Sequence, residues 1–587
     1  MKTFIKQVLA VITGIVIVTA FAGIMSVVML VALIAADSEK PPLTPGTVLH
    51  LNLNGSIEER TVENPLNEFL GSTAVGAQGL DNILTAIRVA AKNDLVSGIY
   101  IEGGITLSDY ASLEEIRKAL TDFKKTGKFI IAYGENYTQG AYYVASVADS
   151  LFINPSGMID WHGIASQPIF YTDLLEKIGV KMQTFRVGTY KSFIEPFTRT
   201  DMSEANRAQV SSYISDIWTV VSKDVSVSRK ISVDSLNALA DRYTTLASTD
   251  SYIKSGLADA TAYIDEVRNS LRYQAKTEEL NLITPAELAL YDVPSGGGEG
   301  EVAVYYASGD IVGSEETGML TGESQIVGPK VVEDLDRLMN DDHVKAVVIR
   351  INSGGGSAFA SEQMWHAVRL LRAKKPVVVS MGGMAASGGY YLACGADYIV
   401  AEPTTLTGSI GIFGMIPDAS GLLTEKLGLH FDVVKTNEAS DFGAIGRPFN
   451  GRESAAMQAY VERGYALFLS RVAEGRHMEV ADVDSLAQGR VWTGRQAMSL
   501  KLVDKLGTLE DAIAEAAHRA EIKDYSVTNY PEQTDWFTDI IEGYKSDYME
   551  RRVSAVLGEY YKPLLFVSSL KGTDCIQARI PYDPNLN

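Results

Sequence analysis

Apolar positions in the first half of the chain switch between two periods. Helical spacing over 80–91 and 112–125 alternates with short strand-like runs over 98–101, 129–133 and 151–153, after the opening segment VLHLNLNG. Strands and helices that take turns in this way predict an α/β unit around a largely parallel sheet, since parallel neighbours need a helical crossover. After the linker PSGGGEG the rhythm restarts with VAVYYASGDIVG and runs to about residue 525.

The second rhythm is a copy of the first. Residues 83–163 lie on 331–411 without a gap at a constant offset of 248: Val96 on Val344, Tyr142-Tyr143 on Tyr390-Tyr391, Asp149 on Asp397, Pro155 on Pro403. Strand-like runs (FIIAYG on VVVSMG) and a small-residue helix start (QGAYYVASVAD on SGGYYLACGAD) recur together, so the chain is read as a tandem duplication. The expected divisions are 1–40 for a cytoplasmic N-terminus and anchor, 41–300 for the first repeat, 301–525 for the second, and 526–587 for a tail with no repeat partner.

Residues 8–36 carry no charge, and 29 apolar or neutral positions reach about 43 Å as a helix, enough for a bilayer. They predict a single-pass anchor held by membrane lipid. Lys2 and Lys6 before the run, and Asp37 and Glu39 after it, keep the N-terminus cytoplasmic. The remainder is then expected in the periplasm of a Gram-negative cell, on the outer side of the inner membrane. A net charge of −21 excludes an electrostatic nucleic-acid binder. Two cysteines, Cys394 and Cys575, without metal-ligand spacing imply no disulfide framework, no metal and no cofactor.

Candidate chemistry gathers at AEPTTLTGSIGIFG, 401–414, where Ser409 sits among small residues at a strand end. Alone, this is an ordinary Gly/Ser turn. The repeat changes its meaning. At the offset, Ser409 faces Trp161, and the loop Ser353-Gly354-Gly355-Gly356 faces Ile105-Thr106-Leu107-Ser108, so one copy keeps a nucleophile-like turn and a glycine loop that the other has lost. A serine hydroxyl needs a base. None of the seven histidines stands in a triad-like context. Lys191, in RVGTYKSFIEPFTR, becomes a base if desolvated, and aligning on Pro-Phe sets Gly443 of the second copy against it. Complementary loss predicts one site assembled from both halves. Ile410, Ile412, Phe413 and Met415 are read as core packing rather than a substrate pocket.

Four motifs, TGSIGIFG, RINSGGGSAFASE, SMGGMAASGGYYLACGADYIVAEP and TYKSFIEPF, resemble in order those of the bacterial signal peptide peptidase (SppA, protease IV) family in its long, duplicated form. The resemblance implies a Clp-protease/crotonase-like fold in each repeat and a membrane-anchored Ser/Lys-dyad serine peptidase that degrades signal-peptide remnants and other short peptides. It implies Ser409 as nucleophile, Lys191 as general base and oxyanion donors in the glycine loop, chiefly Gly355 and Gly356. Gly354 stands where the family usually has proline. A homotetrameric bowl is also implied. A crotonase-type acyl-CoA enzyme and a catalytically silent membrane scaffold remain the rival expectations.

Overall fold

The first repeat is built on a six-stranded parallel sheet in the spatial order Leu282–Ile283, Thr47–Asn52, Val96–Glu102, Phe129–Tyr137, Ser150–Ile159, Ala260–Thr261. The structure is a computed structural model that describes residues 40–60, 77–292, 298, 300–314, 325–532 and 576–579, with Phe21 and Met25. Helix Leu80–Lys92 covers the sheet with Leu80, Ile83, Ile87 and Ala90, the stripe that its apolar spacing predicts. Helix Tyr110–Lys124 starts where the Asp109 carboxylate accepts the Ser112 N–H at 2.8 Å.

The second sheet repeats the first. Val344–Ser353, Val377–Ala386 and Tyr398–Ala401 begin 248 residues after Val96, Phe129 and Ser150. Gly300–Ser308 takes the place of Thr47–Asn52. Tyr525–Tyr530 pairs with Gly300–Ser308 as Leu282–Ile283 pairs with Thr47–Asn52, so the start of the tail does have a repeat partner. That edge strand is too short in the first copy for periodicity to reveal it. Val377–Ala386 is buried along its whole length and reads as a continuous small and apolar run, as a strand covered on both faces must.

The halves interlock. Lys181–Arg186 leaves the first repeat and pairs antiparallel with Phe413–Asp418 of the second, from Arg186 opposite Phe413 to Lys181 opposite Asp418. Elsewhere between the repeats, the Arg350 guanidinium, 1% exposed, donates to Glu59 at 2.8 Å and to both oxygens of Glu115 at 3.0 and 3.1 Å. Burial pushes the Glu59 carboxyl above its ordinary range, against the pull of Arg350. Arg350→Met leaves two buried carboxylates without their cation and is expected to destabilise the fold by about 3–5 kcal/mol. Chemical denaturation checks this, and adding Glu59→Gln and Glu115→Gln to the same chain should recover part of the loss.

Among the described residues no helix is long and apolar enough to cross a membrane. The anchor expected over 8–36 lies outside the described residues, apart from the helical Phe21 and Met25.

Candidate active site

Pairing of the two inter-repeat strands sets the chain after Arg186 against the second repeat, and the loop carrying Lys191 is then fastened there. Tyr190 N–H donates to the Gln488 carbonyl at 2.8 Å. Gln209, on helix Glu204–Arg229, donates to the Tyr190 carbonyl and Ser192 Oγ at 3.1 Å each and accepts the Val491 N–H at 3.2 Å. Any Cβ at Gly489 would stand 2.7 Å from the Lys191 backbone nitrogen, so close approach requires glycine there.

Lys191 is 1% exposed. Its Nζ lies 3.1 Å from Ser409 Oγ, 3.1 Å from the Ser409 carbonyl oxygen and 2.7 Å from Ser387 Oγ. Burial alone holds its amine well below the ordinary lysine range. The Phe413 ring, stacked on Phe193, closes one side at 6.0 Å from Nζ. The two residues singled out from complementary loss therefore meet, 218 positions apart in the chain.

Ser387 is the residue that sequence reasoning passed over. It sits where Val377–Ala386 turns into helix Gly388–Ala393, with φ 55° and ψ −111°. That conformation is strained for a side-chain-bearing residue and costs on the order of 1–3 kcal/mol. Serine on a tight strand-to-helix turn presents its hydroxyl outward at the head of a helix. Its N–H donates to the Gly408 carbonyl at 2.8 Å, which ties the two serine-bearing segments together. The signal lay in SGGYY against QGAYY: at the offset, Gln139 faces Ser387. In the first repeat Gln139 instead binds the 162–163 turn, and Trp161 fills the place of Ser409, fully buried with its indole N–H on the Leu236 carbonyl.

The glycine loop lies beside Ser387. Gly355 and Gly356 have φ of 104° and 155°, and a Cβ on either would collide with backbone carbonyl oxygens of Ala578 and Ile311 respectively. Gly355 N–H donates to Ser353 Oγ at 3.1 Å. Gly354 has no positive φ, so its backbone has no need of glycine. Ile410 and Ile412 belong to the second repeat's core, while Phe413 and Met415 join a smaller cluster with Leu175, Phe193 and Phe197, so all four are packing residues as expected. Cys394 is buried and its thiol pushed up by desolvation. Among the described residues no cluster of histidine, cysteine and carboxylate side chains could hold a metal.

The model of peptidase family S49 matches residues 122–278 and 369–523, one segment in each repeat, and the Clp protease model matches 319–405. The chain is 36% identical over 557 residues to protease 4 of Salmonella typhi, covering 90% of this chain and 87% of that one. It is 34% identical to protease 4 of Haemophilus influenzae, covering 91% and 89%, and 30% identical to the chloroplastic serine protease SPPA of Arabidopsis thaliana, covering 86% and 76%. Two Clp-protease-like α/β units in tandem, a shared full-length relationship and a buried serine–lysine cluster at their junction agree. The chain belongs to peptidase family S49 and is a serine protease of the duplicated form.

Proposed function

We propose that the chain is a membrane-anchored endopeptidase whose Ser/Lys dyad is divided between its repeats, with Lys191 as general base and Ser387, rather than Ser409, as nucleophile. The observation that carries this reading is the 2.7 Å approach of the buried Lys191 amine to Ser387 Oγ. A neutral amine has two N–H bonds and one lone pair. The Ser409 carbonyl can only accept, so one N–H goes there, and the second suits Ser409 Oγ at 3.1 Å. The lone pair is left for the hydroxyl proton of Ser387. Both serines have a positive φ, so the choice between them rests on the contact with Lys191 and on the position of Ser387 directly before helix Gly388–Ala393.

As the Ser387 oxygen attacks a scissile carbonyl, its proton passes to Lys191. The oxyanion is held by the Gly356 and Gly388 N–H groups, each worth about 3–4 kcal/mol. Gly355 is the weaker donor because its N–H already serves Ser353. Protonated Lys191 then gives its proton to the leaving amine, and a water, activated by the same lysine, releases the acyl group. Ser409 holds Nζ in place through its hydroxyl and carbonyl.

On this reading the substrates are cleaved signal peptides and other short peptides, as the motif resemblance implies. The anchor over 8–36 keeps the catalytic halves on the periplasmic face of the inner membrane, and four copies form the working assembly. Treatment with a fluorophosphonate followed by peptide mapping tests the dyad. The adduct is expected on Ser387 and is lost in Lys191→Ala; an adduct on Ser409, or none, overturns the assignment.

A further inference from the structure

The turn at 488–490 touches the segments that carry Lys191 and Ser409. Its Gln488 carbonyl accepts the Tyr190 N–H, the Gly489 N–H donates to the Ile410 carbonyl at 2.8 Å, and the Arg490 carbonyl accepts the Ser409 N–H at 2.7 Å. Side chains extend the bridge. The Arg490 guanidinium lies over the Tyr190 ring at 5.0 Å and over the Trp492 ring at 4.1 Å, both within the reach of cation–π attraction. Trp492 is fixed in turn, because its indole N–H donates to the Leu486 carbonyl at 3.1 Å and its Cδ1 lies 2.9 Å from where a Cβ of Gly408 would stand. A stack therefore runs from the residue before Lys191, across Arg490 and Trp492, to the residue before Ser409.

Among the described residues the buried Arg490 Nε has no hydrogen-bond partner, so the two rings are what this guanidinium meets. The first repeat has the same turn without the stack. Tyr243 is left-handed like Gln488, and Ser248 precedes a helix as Thr493 does. In register with these, Thr245 stands for Arg490 and Ala247 for Trp492, and Thr245 Oγ1 donates to Asp160 at 2.7 Å instead. The stack is thus confined to the copy that receives the lysine loop.

We propose that Arg490 is a positioning residue for peptide hydrolysis, clamping the Lys191 loop of the first repeat to the serine-bearing segments of the second through Tyr190 and Trp492. The inference rests on the dyad reading above. A guanidinium suits the task because it is planar, always charged and weakly hydrated, and so stacks on aromatic faces. Without the clamp the loop loosens, the amine drifts from Ser387 Oγ, and water reaches it. Drift lowers turnover. Hydration returns the lysine toward its ordinary range, since burial alone depresses it.

The full chain, Arg490→Met, Tyr190→Leu and the double variant are compared by kcat and KM on a reporter peptide between pH ~6 and ~10. Each single variant is expected to lower kcat about 10–100-fold, to change KM by less than about 2-fold, and to move the midpoint of the pH profile upward. The double variant should fall no further than the weaker single one, as partners in one contact must. Arg490→Met with the parent's kcat and midpoint overturns the clamp and leaves the dyad standing. So does a rise in KM alone, which would make Arg490 a substrate contact, or a fall in kcat with the midpoint unmoved, which would make it merely structural. Fluorophosphonate labelling of the unmodified chain that persists undiminished in Lys191→Ala overturns the dyad, and the clamp with it.

Discussion

Ser387→Ala is expected to lower kcat/KM for peptide hydrolysis by about 10⁴–10⁶-fold, the loss seen when the nucleophile of a serine peptidase is removed and only binding and oxyanion contacts remain. Ser409→Ala is expected to cost about 10–100-fold, the effect of letting a catalytic group drift from its productive position. The contrast follows from geometry. Both hydroxyls touch Lys191, but only Ser387 directly precedes Gly388, whose amide nitrogen lies against Gly355 of the glycine loop. Ser409→Ala should still form a covalent fluorophosphonate adduct at Ser387, more slowly and with an altered pH profile, because one hydrogen bond that orients the amine has gone. Equal losses in the two variants, or a larger loss at Ser409, would return the nucleophile to the position first read from the sequence.

The second large effect is at the base. Lys191→Met should reduce kcat/KM by about 10³–10⁴-fold, near the upper end of what general base catalysis contributes. Lys191→Arg should not rescue it, since a guanidinium stays protonated. In the unmodified enzyme kcat/KM should rise with pH as the amine loses its proton and level off well below the ordinary lysine range, because desolvation depresses that group. A stability signature accompanies the kinetic one. The unfolded chain binds a proton at Lys191 that the folded chain releases, so at neutral pH folding carries the cost of deprotonating it, and that cost shrinks as pH rises toward the unfolded value. Lys191→Met should therefore raise the denaturation midpoint most at neutral pH and least near pH ~10. A stability difference between variant and parent that does not change between pH 7 and ~10 would mean that the lysine titrates alike in the folded and unfolded chain.

Much of this architecture is legible in the chain because duplication prints each strand twice. The offset that sets Val96 on Val344 and Phe129 on Val377 also sets their strands in register positions of the two sheets. Lys191 and Ser409 emerged because each has no counterpart in the other copy. Ser387 also lacks a counterpart, since Gln139 faces it, but the difference is masked by the well-matched helix start around it, and its contact with Lys191 exists only in the fold. The strand at 576–579 was equally hidden. Four residues without periodicity acquire meaning only from the cleft they enter, and that cleft is made of segments from elsewhere in the chain. The Gly355 N–H bond to Ser353 Oγ was likewise hidden, because hydrogen-bond occupancy is not written in a glycine run.

Splitting the reaction centre across the pairing of Lys181–Arg186 with Phe413–Asp418 has a consequence for synthesis. A chain that has emerged only as far as its first repeat displays an amine with nothing to activate, and the second repeat by itself has hydroxyls with nothing to deprotonate them. On the proposed dyad, destructive capacity arises only at the last docking step, when both halves are complete. The duplication would then act as a two-key lock, in which an interrupted or misfolded translation product lacks one half of the reaction centre.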